Sequence, residues 1–296
     1  MAATINLSFI IATRNRLPFL KITLEKLISE IQPDEEIVIV DGNSTDSTKQ
    51  YLQQLFDQGK IHQYISEPDK NQAHAWNKAM LMAKGALIKK IIDDDVFCYD
   101  AIRKCKAYMM DNAHVDVVIS DDLSSSLYNH TVIEKHSRRP QFEKWRNGLV
   151  PSFTFRDVNM LIRRSALTYI GLYNTDFIMM DWEYALRISH LKTNIAYFTG
   201  YNALTVGHDQ TVTSLKNEQL ITAQGKRAGS FYEYAGDAAD ISNWSKIKIA
   251  IGTLIHKKSS VKPSAGFKKQ DINMVYAHYY EVLAIVNQST TFTFLE

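Results

Sequence analysis

The feature that most constrains this chain is a rhythm. Strand-length β-branched runs alternate with runs of helical period, and short polar links join them. Leu7, Phe9, Ile10 and Ile11 form a short buried-strand pattern ending at Thr13-Arg14-Asn15-Arg16. Leu17, Leu20, Leu24, Leu27, Ile28 and Ile31 then recur at three- and four-residue steps, which predicts a helix closed by Pro33-Asp34. A second strand runs from Glu36 to Asp41 and turns at Gly42-Asn43-Ser44. Thr45 or Asp46 can cap the next helix, which runs to about Phe56. Ile61 to Ile65 reads as a third strand, Ala73 to Ala83 as a helix, and Ala86 to Ile92 as a fourth strand running into Asp93-Asp94-Asp95. This alternation predicts an α/β fold with a mostly parallel central sheet covered by helices on both faces.

Such sheets bind ligands beyond the carboxyl ends of their strands. Three polar clusters fall there: Thr13 to Arg16, Asp41 to Ser44, and Asp93 to Asp95. Three clusters on one rim say more than any one of them.

Beyond Asp100 a helix carries Cys105 and Met109, and Val115 to Ile119 reads as a strand ending in Asp121-Asp122. Residues 123–156 are polar, aromatic and irregular, and are expected to form a partly mobile loop region. A helix begins near Asp181 and carries Trp182, Glu183, Leu186, Arg187 and Ile188; Ile195 to Phe198 is a further strand. From about Gln210 the pattern turns mainly helical. No internal repeat or low-complexity segment is visible.

Composition narrows the function classes. The 34 basic and 32 acidic side chains give a net charge of +2, which argues against bulk electrostatic binding of nucleic acid. The hydrophobic fraction of 45% and charged fraction of 22% are those of a folded globule. Cys98 and Cys105 can make neither a disulfide framework nor a cysteine zinc site; their spacing suggests one face of a helix and reduced thiols. No signal peptide is evident and no apolar run reaches the ~20 residues of a spanning helix, so the expected location is cytoplasmic.

Asp93-Asp94-Asp95 carries the most chemistry. Adjacent buried carboxylates repel one another, and a hard divalent cation, Mg²⁺ or Mn²⁺, would relieve that with phosphate oxygens completing its shell. An exposed acidic turn is the plainer alternative. Asp41 can accept a hydrogen bond from a ribose hydroxyl or a base N–H, or can simply be a turn residue. Asp181 can be a general base packed beside Trp182, or an acid favouring a helix start. His208 can be a ligand or an ordinary histidine. No G-x-G-x-x-G follows the first strand, no phosphate-binding G-x-x-x-x-G-K-[ST] occurs, and no G-x-S-x-G elbow supports a hydrolase.

Taken together these blocks resemble the family 2 glycosyltransferases. The resemblance rests on Leu7 to Arg16, Glu36 to Asp46, Ser66 to Lys78, Ala83 to Val96, Leu161 to Leu167 and Asp181 to Arg187, in the family's order and approximate spacing, over roughly residues 5–210. It implies a GT-A fold, with a Rossmann-like sheet, and transfer of a sugar from a nucleotide-sugar with inversion. Residues 1–210 would form this domain, with a nucleotide-sugar half to about residue 110 and an acceptor half beyond it. Residues 211–296 would be a mainly helical extension. By the same resemblance Thr13, Asn15 and Arg16 lie by the nucleotide, and Asp41 approaches the base or ribose. Asp69, Asn77 and Lys78 match the donor-side block. The acid triplet matches the metal motif, with Asp95 the leading ligand, Asp93 assisting and Asp94 on the donor; an adjacent-pair and an alternating register both fit. His208 sits where a further metal or phosphate contact is supplied. Asp181 matches the general base. The chain departs from the family at Gly42, Asn71, Ala79 and Asp157, the last standing where a histidine often precedes the Arg-Arg-Ser block.

The expected partners are a nucleotide-sugar, with UDP favoured, and a saccharide or lipid-linked saccharide acceptor, as in bacterial polysaccharide assembly. A nucleotide-sugar hydrolase and a catalytically silent glycan- or sugar-nucleotide-binding module are the competing readings. Trp244 to Lys258 combines apolar residues, lysines and a tryptophan; it reads either as a peripheral membrane contact or as a helix packed on the domain. Tyr276, His278, Tyr279, Tyr280 and Leu283 suggest a last helix for docking or homodimer contact.

Overall fold

The computed structural model describes residues 4–208, 218–236, 269–289 and 291–296. The segment Trp244 to Lys258 lies outside the described residues. The first half follows the alternation: β1 (Leu7–Thr13), α1 (Leu17–Glu30), β2 (Glu35–Asp41), α2 (Thr48–Asp57), β3 (Gln63–Ser66), α3 (Gln72–Met82) and β4 (Leu87–Lys90). β3, β2, β1 and β4 lie side by side and all run parallel. Alternating residues feed two cores, because successive side chains point to opposite faces of a strand. Phe9 and Ile11 of β1 and Ile37 and Ile39 of β2 pack with Leu20, Leu24 and Leu27 of α1. Ile10, Val38 and Val40 pack on the other face with Trp76, Ala79 and Met80 of α3.

Past β4 the sheet becomes mixed. A short β5 (Val96–Phe97) leads into α4 (Tyr99–Asp111), which buries Ile102, Cys105 and Met109. Cys98 is the residue that caps this helix, so only Cys105 lies within it; burial pushes the Cys105 thiol up to about 12. Then follow β6 (Val117–Ser126), β7 (Asn129–His136), α5 (Arg139–Arg146), β8 (Leu161–Arg163), α6 (Leu167–Ile170), α7 (Met180–His190) and β9 (Ile195–Gly207). β8 runs antiparallel between β4 and β6, and β6 runs parallel to β9.

Two sequence expectations are corrected here. Residues 123–156 are not an irregular loop: β6 extends through Ser126, turns, and pairs antiparallel with β7, and α5 follows. The serines and charges that read as loop belong to an outer hairpin with β7 mostly exposed, where no apolar alternation is needed. β9 likewise continues well past Phe198, through Gly200, Tyr201 and Asn202. Gly200 is required there, since a Cβ would lie 2.5 Å from the Phe198 ring and 2.7 Å from that of Phe292.

The described residues beyond 211 include α8 (Glu218–Phe231) and α9 (Lys269–Gln288). α8 packs Ala228 against Phe177 and Leu186. α9 buries Val275, Tyr276, Tyr279 and Leu283 against Leu123, Leu204 and Val206. The chain then returns to the sheet as β10 (Phe294–Leu295), antiparallel to β9. No helix among the described residues is long and apolar enough to cross a membrane.

Candidate active site

The carboxyl ends of β1, β2 and β4 share one rim. Just beyond β4, Asp93, Asp94 and Asp95 are all buried, and each is held from a different direction. The Thr13 hydroxyl donates to Asp93 at 2.6 Å. The Arg16 guanidinium bridges Asp93 at 3.0 Å and Asp94 at 2.6 Å. His208 Nε2 lies 2.7 Å from the Asp94 carboxylate, and its ring stacks on Phe19 at 5.1 Å. The Val206 N–H donates to Asp95 at 2.9 Å. Thr13, Arg16, the acid triplet and His208 therefore converge, although His208 follows the triplet by more than a hundred residues.

The charges are uneven. Burial, and next the charge of Asp94, push Asp93 upward. Burial also opposes ionisation of Asp94, but the hydrogen bond from His208 and the charge of Arg16 hold it low. Asp95 is pushed well above the ordinary carboxylate range by burial and by Asp94. Its carboxylate accepts from a backbone N–H, and the charge of Arg156 offsets the shift only in part. The Thr205 hydroxyl, on the wall of the same cleft, is buried with no hydrogen-bond partner among the described residues. Adjacent buried carboxylates raised by one another suit a divalent cation whose shell is completed by phosphate. Among the described residues no three His, Cys, Asp or Glu side chains are grouped to hold an ion alone. The residues thus fit a cation shared with a bound diphosphate, Asp95 first.

Two hollows meet at Arg16, Gln72 and Ile92. One, of about 380 Å³, is walled by Thr13, Arg14, Asp69, Lys70 and Trp76. The other, of about 390 Å³, runs from Asp94 and Asp95 to Lys90, Asp157 and Asp181. Asp181, half-buried in the first turn of α7, is pushed upward by burial and then by Asp157, while Lys90 opposes the shift. Lys90 and Asp157 form a buried ion pair at 2.6 Å. The Tyr173 hydroxyl donates to the same Asp157 oxygen at 2.6 Å, and the Lys90 ammonium sits 4.5 Å from the Trp76 ring centroid. Arg156 lines this hollow too and pairs with Asp122 at 2.6 Å.

The remaining candidate residues divide. Lys78 bridges Asp69 at 2.7 Å and Glu67 at 2.8 Å beside the first hollow. Gly42 lets that wall close up, since a Cβ there would lie 2.9 Å from an Asp69 oxygen. Three others bind the protein itself. Asn15, in a left-handed conformation with φ 54°, accepts from the Thr45 N–H at 2.7 Å and pins the β1–α1 loop to the β2–α2 loop. Asp41 is fully buried and accepts from the Ser44 N–H and from the Ser44 and Ser66 hydroxyls. Asn77 exchanges two hydrogen bonds with the Tyr173 backbone, at 2.9 and 2.8 Å.

Sequence reasoning missed Lys90, Tyr173, Arg156 and Thr205. The available signal was two adjacent lysines in an otherwise apolar strand. Burial of both, Lys89 at 0% and Lys90 at 5%, requires partners from distant segments.

The family model for glycosyl transferase family 2 matches residues 8–171, more than half of the chain. The chain belongs to glycosyl transferase family 2. A sequence relative of this family 2 chain is TuaG of Bacillus subtilis (strain 168), a protein assigned as a teichuronic acid biosynthesis glycosyltransferase; it is 31% identical over 108 residues. That match covers 36% of this chain and 42% of TuaG. TarS 1–349 of S. aureus, solved with UDP-GlcNAc, superimposes with a TM-score of 0.57 at 14% identity, over 94% of this chain and 92% of that one. The mannosyltransferase PcManGT of Pyrobaculum calidifontis, solved with GDP-Man and Mn²⁺, gives a TM-score of 0.56 at 17% identity, over 97% and 88%. At these identities the likeness carries the fold, and this family 2 chain has the GT-A fold expected from its sequence.

Proposed function

We propose that this protein is a metal-dependent inverting glycosyltransferase. It moves a sugar from a nucleotide-diphosphate sugar, a UDP-sugar by preference, to a hydroxyl of a saccharide or lipid-linked saccharide acceptor. The observation that carries this reading is one cleft with two unlike ends: Asp94 beside a strongly raised Asp95 at one, and the raised carboxylate of Asp181 at the other.

In this reading Thr13 and Arg16 orient the triplet, while Asp69 and Lys78 form the wall along the nucleotide. Asn15, Asp41 and Asn77 act through the backbone they fix. Asp95, with Asp93, Asp94 and His208 near it, would hold Mn²⁺ or Mg²⁺, which when bound offsets charge growing on the leaving diphosphate. Asp181 takes the proton of the acceptor hydroxyl as that oxygen bonds to the anomeric carbon. The carbon–oxygen bond to the diphosphate breaks on the opposite side, which inverts the centre. A carboxylate with a raised pKa is a stronger base, and the charge of Lys90 favours its ionised form. The likeness to TuaG supports a glycan-building role of the bacterial surface kind.

The test is Asp181→Asn, assayed for transfer and, separately, for UDP binding with Mn²⁺ by calorimetry. Loss of a general base should lower transfer by ~10²–10⁴-fold with nucleotide affinity retained. Transfer at the parent rate would remove Asp181 from the chemistry. Release of free sugar at the same rate with and without acceptor would favour the hydrolase.

A further inference from the structure

The acid triplet has a support that the reading above does not use. Tyr276 of α9 is fully buried, and its hydroxyl donates to the backbone carbonyl of Asp94, 182 residues away in sequence. Its ring lies 6.2 Å from that of Phe19, which in turn stacks on His208. His208 holds the carboxylate of the same aspartate. Asp94 is thus gripped at its side chain by Arg16 and His208 and at its main chain by Tyr276, and Phe19 joins two of the three. One turn further along α9, Tyr279 is equally buried, but its hydroxyl donates at 3.0 Å to the Ser126 carbonyl at the end of β6.

We propose that Tyr276 is a positioning residue of the diphosphate site, and that α9 is therefore part of that site rather than an appendage. The argument rests on the donor-site reading of the triplet. A carbonyl taken from water needs its partner, and without one the peptide turns to find another. The Asp94 peptide leads directly into Asp95, so its rotation carries the Asp95 carboxylate with it. Thr13, Val206 and His208 hold side chains of the triplet; Tyr276 holds the backbone between two of them.

The experiment uses the full chain and compares Tyr276→Phe with Tyr279→Phe. Each loses one buried hydroxyl from the same helix, so the cost to packing is alike. Hydrogen exchange of the free protein is followed at amides 93–96, and calorimetry measures UDP, GDP or dTDP with Mn²⁺. Tyr276→Phe should speed exchange at the triplet and weaken the nucleotide that the parent binds by about three- to tenfold, the fold-change of one net hydrogen bond. Tyr279→Phe should leave both within twofold. Equal effects of the two variants, or none from Tyr276→Phe, would overturn the proposal. If the parent binds no nucleotide but Tyr276→Phe alone loosens amides 93–96, the positioning role stands and the donor-site reading falls.

Discussion

The buried Lys90–Asp157 pair allows a quantitative test of how the cleft is built. The two charged atoms lie 2.6 Å apart, with side chains only 5% and 4% exposed. Opposite charges ~4 Å apart at an effective dielectric of ~20 attract by about 4 kcal/mol. Desolvation costs several kcal/mol per ion, so the pair as a whole contributes little net stability. Removing one partner is different, because it leaves the other charge buried alone at a cost of about 3–5 kcal/mol. Lys90→Met keeps the stem volume against Trp76 and removes only the charge. Asp157→Asn keeps the shape beside Tyr173. Each single variant should lose about 3–5 kcal/mol of unfolding free energy. That corresponds to a melting temperature lower by roughly 6–20 °C at ~2–4 °C per kcal/mol. The double variant should lose much less than the sum, with a coupling energy of about 2–3 kcal/mol. Denaturant unfolding of all four proteins supplies the cycle. Coupling below ~0.5 kcal/mol would mean that the two side chains act independently and that the ion pair does not hold the cleft wall together.

Three further outcomes follow from the same geometry. Asp181 must be ionised to act as base, so transfer should fall as pH drops through a value above the ordinary aspartate pKa of ~4. Lys90→Met should move that acidic limb up and Asp157→Asn should move it down, by ~0.5–1 unit each; shifts in the same direction in both would show general damage instead. Asn77→Ala strips partners from the Tyr173 N–H and C=O and should cost about 1–3 kcal/mol in chemical denaturation, while calorimetry finds nucleotide affinity unchanged. A large loss of affinity would restore Asn77 to direct donor contact. Gly85→Ala places a Cβ 2.6 Å from the Ser8 nitrogen and 2.8 Å from the Leu7 carbonyl carbon. Both are backbone, so the variant should lose about 1–3 kcal/mol, and a melting temperature equal to the parent's would contradict the close approach of β1 to the turn before β4.

The sequence by itself determined the half of the fold governed by local periodicity. β1 and β2 are mostly apolar runs because both faces of a central parallel strand are buried, and a one-dimensional pattern records that directly. The position of Thr13, Arg16 and the acid triplet followed, since strand ends in such a sheet share a rim. Asp181 was legible only through resemblance, as an acid at a helix start. Tertiary structure alone decided what depends on pairing between distant segments. The hairpin of β6 and β7 is polar and carries no apolar alternation, and β9 continues past Gly200 because β6 and β5 pair with it there. Lys90 finds Asp157, Asn77 finds Tyr173, and Tyr276 finds the Asp94 carbonyl across 67, 96 and 182 residues. No spacing rule predicts such contacts: a buried polar atom must be satisfied, but any segment folded against it can supply the partner.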